Sequence, residues 1–372
     1  MMKKPFRKVS KVKELIPDRI AERAMTLNPM TTDEPAVVDK VPRITNETIA
    51  EHREEVLKGA RKYIYPLQHS KHRIVVVTLG LASVAAVSFL VYCVLGLYHF
   101  HQSNTFLYRV TQVVPFPIAK TDGSYVAYEN YLFELRHYVH YYQSQQQLNF
   151  NGSDKQQYQR LKQQALANVI NDAYVKELAK QHKISVSNKE VDARIAEVRN
   201  QNRLGSNNKV FADVLRDYWG WSVSDFKRSL KQEILSEKVA AKLDTTASGR
   251  ADAALAQIKA GADFAEVAKA TSDDPTAKAN GGDFGFAVTK TNPNVPPEII
   301  DTMFRLRIGE TSPIVLASPV ITGAPPTLQI VKTTQSDGKT VSAQHIVFNL
   351  KDISLYVNDL KSKKPPKYYA KP

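Results

Sequence analysis

The feature that most constrains this chain is residues 74–98, because all 25 of these consecutive positions are uncharged. A helix rises about 1.5 Å per residue and the hydrocarbon core of a bilayer is roughly 30 Å thick, so about 20 apolar residues suffice to cross it. A buried core helix of this length normally keeps a polar face, which this segment lacks. A cleaved signal peptide has a shorter apolar region nearer the N-terminus. The sequence therefore predicts a single transmembrane helix at 74–98.

The flanking charges predict the orientation of this helix. Residues 1–73 contain sixteen Lys and Arg, whereas residues 99–118 contain only Arg109. Because positively charged flanks stay on the cytoplasmic side, we expect a cytoplasmic, largely disordered basic tail at 1–73 and extracytoplasmic domains beyond the span. Within the tail, residues 46–62 predict a short helix with Asn46 as N-cap. The tail either sets the topology as a solvated anchor or binds a partner or lipid.

The composition narrows the choice of partners. The net charge is +14, but no RNA-binding aromatic motif, zinc-finger spacing or basic zipper accompanies it, so we expect anionic lipid of the bilayer or an acidic envelope polymer rather than nucleic acid. The only cysteine, Cys93, lies inside the predicted span, which leaves the outer part without disulfides. No cofactor or metal is expected. Five histidines lack metal-ligand spacing and are expected in loops or on the surface: His99, His101, His137, His140 and His182.

Residues 107–245 have the pattern of a helical domain. The β-branched stretch 110–119 and the short stretch 124–127 predict extended segments on either side of an Asp122-Gly123 turn. Apolar residues at helical spacing predict helices at 129–142 and 156–182. Further helix starts are indicated by a capping box at 187–190 and a similar pattern at 222–225.

Three short motifs in this domain have a familiar order. They are Lys-Ile-Ser-Val-Ser at 183–187, Glu-Val-x-x-x-Ile at 190–195 and Gly-x-Ser-x-x-x-Phe at 220–226. The region 113–243 thereby resembles the N-terminal chaperone region of SurA-like and PrsA-like peptidyl-prolyl isomerases. Two interpretations stay open for an aromatic group, which either fills a core or lines an apolar groove for unfolded chains: Phe211, Tyr218, Trp219 and Trp221.

A second set of linked motifs follows. An alanine-rich helix breaks at Gly261, and Asp263 is the expected N-cap of the next helix. Then come Ser-Asp-Asp at 272–274, Gly-Gly-Asp-Phe-Gly at 281–285 and Leu-x-x-Gly-Glu-x-Ser-x-x-Val at 306–315. This series resembles the parvulin family of peptidyl-prolyl isomerases. The resemblance implies an α+β fold overall, in which a parvulin-like domain at 249–352 has a four-stranded antiparallel sheet flanked by helices, and leaves 353–372 as a C-terminal tail.

One element of the parvulin pattern is out of order. The family's first strand, roughly Ala-x-His-Ile-Leu-Val, is missing before residue 249, whereas 341–350 reads Val-Ser-Ala-Gln-His-Ile-Val-Phe-Asn-Leu. Residues 327–334 would be the family's last strand, and Asp337-Gly338 offers a hairpin turn between the two. The order predicts a circularly permuted parvulin domain. The alternative is a second parvulin repeat cut short after its first strand.

The resemblance also implies a site. His345 matches the family's first active-site histidine, Asp274 a position held by Cys or Asp, and Gln329 the second histidine. Val295 and Ile299 match the residues of the proline pocket, and Phe304 joins them as a candidate substrate-binding residue that also suits the core. Gln329 departs from the family because it cannot protonate, and Ile299 lacks the aromatic wall. His345 could also be an ordinary strand histidine satisfied by its neighbours.

Together these features predict a membrane-anchored extracytoplasmic foldase. Its partners would be the lipid bilayer and unfolded or newly translocated polypeptides with X-Pro bonds. The alternative is a non-catalytic chaperone or envelope scaffold built on an inactive parvulin fold. A weaker third hypothesis is a structural partner of a secretion or division complex that acts through the tail.

Overall fold

The computed structural model describes residues 45–64, 66–150, 152–201, 204, 207–320 and 323–372. Residues 1–44 of the predicted tail lie outside the described residues. The chain divides into two compact units, Met1–Ala82 and Ser83–Pro372. The helices are α1 Asn46–Ile64, α2 Pro66–Val94, α3 Thr105–Val113, α4 Tyr128–Gln146, α5 Lys155–Gln181, α6 Asn188–Gln201, α7 Asn208–Val214, α8 Val223–Leu243, α9 Thr245–Lys259, α10 Phe264–Thr271, α11 Pro275–Asn280, α12 Pro297–Arg305 and α13 Ile353–Lys363. The strands are β1 Pro117–Lys120, β2 Tyr125–Ala127, β3 Val288–Thr289, β4 Val315–Ala317, β5 Thr327–Ser336, β6 Thr340–Asn349 and β7 Lys367–Tyr368.

The helix α1 lies in the first unit and matches the predicted helix at 46–62. Its cap is one residue earlier than expected, because the backbone N–H of Thr48 donates to Thr45 Oγ1 at 3.4 Å. Within the described residues, one helical stretch, His72–His99, is long and apolar enough to cross a membrane. It ends in a π-helical turn, Leu95–His99.

Within the second unit, Ser83–Leu243 and the segment 353–372 are mainly helical and pack together. We call them the helical domain. Its main core joins α4 and α5 to the end of α2 around the buried rings of Tyr128, Tyr131 and Tyr174. The predicted helices at 129–142 and 156–182 are confirmed as α4 and α5. Ser222 and Asp225 form the predicted capping box of α8.

The extended segment predicted at 110–119 is partly wrong, because α3 occupies Thr105–Val113. The side chain of Asn104 accepts a hydrogen bond from Leu107 N at 2.8 Å and starts this helix. Residues preceding a proline avoid helical geometry, so the helix ends before Pro115 and strand geometry begins only at Pro117. The second stretch is extended as predicted and forms β2.

The C-terminal segment 353–372 is ordered rather than a tail, which corrects our expectation. Its helix α13 buries Val357 in the core of the helical domain, and β7 pairs with β1. Tyr174 Oη donates to Lys364 O at 2.5 Å, which ties the segment to α5. Together β2, β1 and β7 form a three-stranded antiparallel sheet.

The sheet domain (245–350) contains a four-stranded antiparallel sheet in the order β3-β6-β5-β4. Its long central hairpin pairs β5 with β6 from Thr327↔Asn349 to Ser336↔Val341, and Gly338 takes the positive φ of +82° that the turn needs. The predicted pairing of 327–334 with 341–350 is therefore confirmed. Helices α9 and α10 cover one face of this sheet, and α12 covers the other.

A cluster of ionisable side chains around Arg194 joins the helical and sheet domains. The Arg194 guanidinium forms ion pairs with Glu197 on the same helix at 3.3 Å, with Glu237 of α8 at 3.1 Å and with Glu298 of α12. Glu298 also accepts hydrogen bonds from the backbone and hydroxyl of Ser318. One largely buried cation thus serves three carboxylates where the two domains meet.

Candidate functional site

The hairpin of β5 and β6 places His345 and Gln329 on the same face of the sheet. Successive residues of a strand point to opposite faces, and His345 pairs with Val331, two residues from Gln329. Val331 and Ala343 on this face belong to the core under α12, whereas Ile346 on the other face packs under α9 and α10. The two candidate residues are therefore diagonal neighbours, as the predicted hairpin requires.

A hydrogen-bond chain fixes the orientation of the imidazole. Gln329 Nε2 donates to Thr327 Oγ1 at 3.0 Å, which turns the amide oxygen of Gln329 toward His345 Nδ1 at 3.3 Å. An amide oxygen can only accept, so Nδ1 carries the proton and Nε2 keeps its lone pair. Gln329 thus selects one tautomer of His345.

His345 is electrically neutral in this setting. It is 9% exposed, and burial lowers its pKa to about 4, although the negative charge of Asp274 acts in the opposite direction. A charged imidazolium would lose its hydration in this apolar environment. At neutral pH the site therefore presents an uncharged imidazole beside an uncharged amide.

Asp274 has a structural task of its own. Its Oδ1 accepts from Thr276 N at 2.7 Å and from Ala277 N at 3.2 Å, so it is the N-cap of α11. Its carboxylate influences His345 through space rather than through a hydrogen bond. The structure brings Asp274 to the edge of the site but engages it in helix capping.

The loop before Asp274 is held against β6 by Ser272 and Asp273, two residues of the Ser-Asp-Asp motif for which the sequence predicted no contact. The Ser272 hydroxyl accepts from Val347 N at 3.2 Å, and Asp273 accepts from Asn349 N at 2.9 Å. Asp273 also forms a bidentate pair with Arg250 of α9. These contacts fix the position of the loop relative to the strand that carries His345.

An aromatic ring covers the candidate histidine. Phe284 stacks on His345 with ring centroids 3.9 Å apart and an interplanar angle of 26°. The segment that carries it follows β6 closely, since His345 N donates to Gly282 O at 2.8 Å. A Cβ on Gly282 would lie 2.8 Å from His345 O, so glycine is required there. Sequence reasoning used this Gly-Gly-Asp-Phe-Gly motif for its turns but missed the ring over His345.

The predicted substrate-binding residues separate into two groups. Val295 and Ile299 are 1% and 0% exposed and lie in the core under α12, on the face of the sheet that carries His345. Phe304 is half-buried at the margin of this core and faces Lys290, whose Nζ lies 5.1 Å from its ring centroid. Phe304 also lines a separate cavity of about 350 Å³ beside Glu197. Val295 and Ile299 therefore share the core under α12, whereas Phe304 lies at its margin.

The helical domain contains a second candidate site, a cleft of about 940 Å³ between α4, α5 and α8. Its walls combine apolar and charged side chains with amides from Asn130, Asn168, Asn171 and Gln232. Burial raises the pKa of Asp172 in this cleft to about 6, while the positive charge of Lys176 opposes that shift. Side-chain amides both donate and accept hydrogen bonds, so such walls can pair with the peptide groups of an extended chain.

The aromatic group of the helical domain is mostly packed, and its Trp221 stacks on Phe133, which lines this cleft. Phe211 is buried, whereas Trp219 and Trp221 are partly buried and Tyr218 is 43% exposed. His137, expected at the surface, instead stacks on Trp221 with ring centroids 4.2 Å apart. Burial lowers the pKa of His137, so this histidine is a component of the packed aromatic cluster.

Comparison with known proteins assigns both domains. The model of the SurA-like N-terminal domain matches residues 67–240, and the model of the PPIC-type PPIase domain matches residues 228–318. The chaperone SurA of Burkholderia lata is 36% identical over 117 residues, and that of Burkholderia orbicola is 35% identical over 117 residues. Each alignment covers 31% of this chain and 24% of the relative, so the chain spans about a quarter of the length of these curated relatives.

Among solved structures, the foldase protein PrsA from Streptococcus pneumoniae matches 58% of this chain and 84% of its own, with 20% identity and a TM-score of 0.18. A superposition at that score carries no argument about function. The two domain models, with the SurA relatives beside them, agree with the motifs at 183–226 and 272–315. The chain therefore combines a SurA-like N-terminal domain with a parvulin-type, PPIC-type peptidyl-prolyl isomerase domain.

Proposed function

We propose that this protein is a membrane-anchored foldase, whose helical domain binds unfolded polypeptides and whose sheet domain isomerises X-Pro bonds outside the cytoplasmic membrane. The observation that carries the catalytic part is the position of His345, which lies on the sheet face that is covered by Val295 and Ile299 and has its Nδ1 3.3 Å from Gln329 Oε1. The apolar helix His72–His99 supports the anchor. The sixteen positive charges before it support a cytoplasmic N-terminus.

The chemistry asks little of the protein beyond shape and uncharged polar groups. Rotation about a prolyl bond faces a barrier of about 18–20 kcal/mol, and no covalent bond breaks. The enzyme must bind the twisted imide better than either planar isomer. A proline ring placed against Phe284 and above Val295 and Ile299 would leave the imide near His345. A neutral imidazole suits that task, because a charged imidazolium would lose its hydration when the apolar proline ring of the substrate binds beside it.

The helical domain would bind the unfolded polypeptide, which is the client of the foldase. Its cleft offers about 940 Å³ with amide-bearing walls, enough to hold a short extended segment in register. Binding through peptide groups does not depend on sequence, which suits a protein that meets many unfolded chains. The clients would be newly translocated polypeptides, and nucleic acid would have no role.

We infer further that the sheet domain is circularly permuted. The match to the PPIC-type model ends at residue 318, and the strands β5 and β6 lie beyond it. The strand whose residues match the family's histidine motif is β6, which is the last strand of the sheet domain but central in its sheet. The alternative is a truncated second repeat, and the place of β6 between β3 and β5 inside one four-stranded sheet supports the permutation instead.

The decisive experiment is a prolyl isomerase assay on the full chain in lipid nanodiscs. His345→Ala should lower the rate by about one to three orders of magnitude, since a positioned polar group in a desolvated site is lost. Gln329→His should keep or raise activity, because it restores the family residue. His182→Ala, an exposed histidine of the helical domain, is the matched control and should leave the rate unchanged.

One observation favours a second candidate, the non-catalytic chaperone. His345 lies under Phe284, and Val295 and Ile299 are fully buried, so the proline pocket is closed in this structure. A wild-type protein that accelerates no X-Pro peptide, yet suppresses aggregation of an unfolded client, would establish that alternative. Circular dichroism of each variant must match the wild type before its rate is interpreted.

A further inference from the structure

The outer end of the apolar helix is part of the core of the helical domain. Cys93 and Leu97 are 0% exposed and belong to that core. Tyr128 Oη donates to Leu97 O at 2.7 Å, and Tyr98 Oη donates to Pro117 O at 2.7 Å. The part of the apolar helix from Ser83 onward therefore belongs to the same compact unit as the helical domain, and the position of one fixes the position of the other.

The helix α3 then folds back beside the apolar helix. The ring of Phe106 lies 6.3 Å from that of Phe89 and 6.1 Å from that of Tyr92, centroid to centroid. At about 1.5 Å per residue, Tyr92 and Phe89 precede His99 by roughly 10 and 15 Å along the helix axis. The start of α3 therefore lies beside a part of the apolar helix that precedes its end.

This depth can be compared with the thickness of a bilayer. The uncharged stretch begins at Ile74, and a hydrocarbon core of roughly 30 Å takes up about 20 residues. The outer boundary of the hydrocarbon then falls near Cys93, next to Tyr92 and Phe106. Aromatic side chains prefer this boundary in membrane proteins.

One side of α3 is buried against the protein, and the other side exposes apolar residues, as expected for a helix at the surface of a bilayer. Leu107 and Thr111 are buried against the helical domain. The opposite side, which we call the outer face of α3, exposes Phe106 by 52% and Val113 by 83%, with the exposed Arg109 between them. An arginine one turn from an inserted aromatic residue can reach lipid phosphate while its stem stays apolar.

We propose that the outer face of α3 lies in the outer leaflet of the membrane, so that the helical domain is seated on the bilayer instead of tethered above it. Lipid at the boundary between acyl chains and headgroups covers Phe106, and a headgroup phosphate accepts from Arg109. This inference rests on the proposed membrane anchor. It adds that the cleft and His345 are held at a fixed height above the membrane.

The test places a nitroxide label on one introduced cysteine at a time in the full chain in nanodiscs. The unmutated chain, whose Cys93 is buried, measures the background labelling. The labelled variants are Phe106→Cys and Arg109→Cys on α3, Val84→Cys in the apolar helix and Ile308→Cys in the sheet domain. Val84 and Ile308 are 66% and 64% exposed, which matches them as lipid and water references. Relaxation by oxygen reports lipid, and relaxation by a water-soluble nickel chelate reports water.

We expect the label at Phe106 to behave like that at Val84, with loss of access to the nickel chelate. The label at Arg109 should lie between the two references. If both α3 labels are as accessible to nickel as the label at Ile308 while the label at Val84 is in lipid, the proposed lipid contact of α3 is wrong and the membrane anchor still holds. If Val84 is also accessible to nickel, the anchor itself is wrong. Spin–spin broadening at Phe106 only in discs that hold two copies would assign the face to a second chain and overturn the lipid contact.

Discussion

Replacing Glu197 with glutamine should stabilise the protein above neutral pH. Burial raises the pKa of Glu197 to about 7 from its ordinary 4.5, the charge of Glu298 adds to the rise, and Arg194 opposes it. The rise occurs despite the ion pair because Arg194 is shared with Glu237 and Glu298. A carboxyl group that resists ionisation in the folded state makes that state less stable wherever the group must ionise.

The sign and the size follow from the two pKa values. Below about pH 4.5 the carboxyl is protonated in both states, and its contribution to stability is fully present. Between pH 4.5 and 7 the unfolded chain releases its proton first, so stability falls as pH rises, and above 7 the loss is complete. At about 1.36 kcal/mol per pKa unit the upper limit is about 3 kcal/mol. The side chain is 23% exposed, and solvent screening reduces the expected gain for Glu197→Gln to about 1–2 kcal/mol at pH 8.

Glu190 of the same helix region supplies a matched control of opposite sign. A hydrogen bond from Lys238 and another from the backbone of Ser187 lower the pKa of Glu190 to about 2. Its stabilising effect is present above pH 4.5 and is lost as pH falls toward 2, so Glu190→Gln should destabilise at pH 8. Thermal unfolding of both variants in nanodiscs between pH 4.5 and 8 checks the pair. The reasoning fails if Glu197→Gln melts at or below the wild-type temperature at pH 8.

Three further perturbations test the fold and the site. Gly282→Ala should destabilise the sheet domain by about 1–3 kcal/mol, because φ is +88° and the new Cβ would lie 2.8 Å from His345 O. The control Gly249→Ala in α9 places a Cβ with nothing within 4 Å and should be neutral or stabilising. Urea unfolding of both variants checks this prediction. Truncation after Lys339 removes β6 and should abolish the cooperative unfolding of the sheet domain; a retained transition would contradict the central position of that strand. Truncation after Lys351 removes α13 and β7 and should increase hydrogen exchange in α5 and β1, with little change in the sheet domain.

Local signals in the sequence predicted most elements whose causes are local. Helices α4, α5 and α8 follow from apolar spacing and caps, and the β5–β6 hairpin follows from its Asp-Gly turn and from the resemblance to parvulins. A local signal gave a partly wrong prediction at 110–119. There, β-branched residues suggested a strand, but the cap at Asn104 and the burial of Leu107 decide for a helix.

Contacts between distant residues account for what the sequence could not reveal. The segment 353–372 is polar and lysine-rich, and its order depends on α5 and β1, about 190 and 250 residues earlier in the chain. The stacking of Phe284 on His345, the burial of Val295 and the sharing of Arg194 among three carboxylates also arise only in the folded chain. His345 and Gln329 could be paired in advance because one hairpin carries both.

The same fold explains how the C-terminal segment reaches the helical domain. The chain enters the sheet domain at Asp244 and leaves it at Lys351, and Lys351 N donates to Asp244 Oδ2 at 2.8 Å. Asp244 is 3% exposed and also caps α9 through Ala247 N at 3.0 Å. Adjacent entry and exit points are the condition under which domains tolerate insertion and circular permutation. With β6 as the last strand of the sheet domain, the chain leaves the centre of the sheet directly into α13. The proposed circular permutation would account for this exit, because a domain that started at β6 and ended at β5 would end at the far turn of the hairpin near Ser336 and would need a further connection to return.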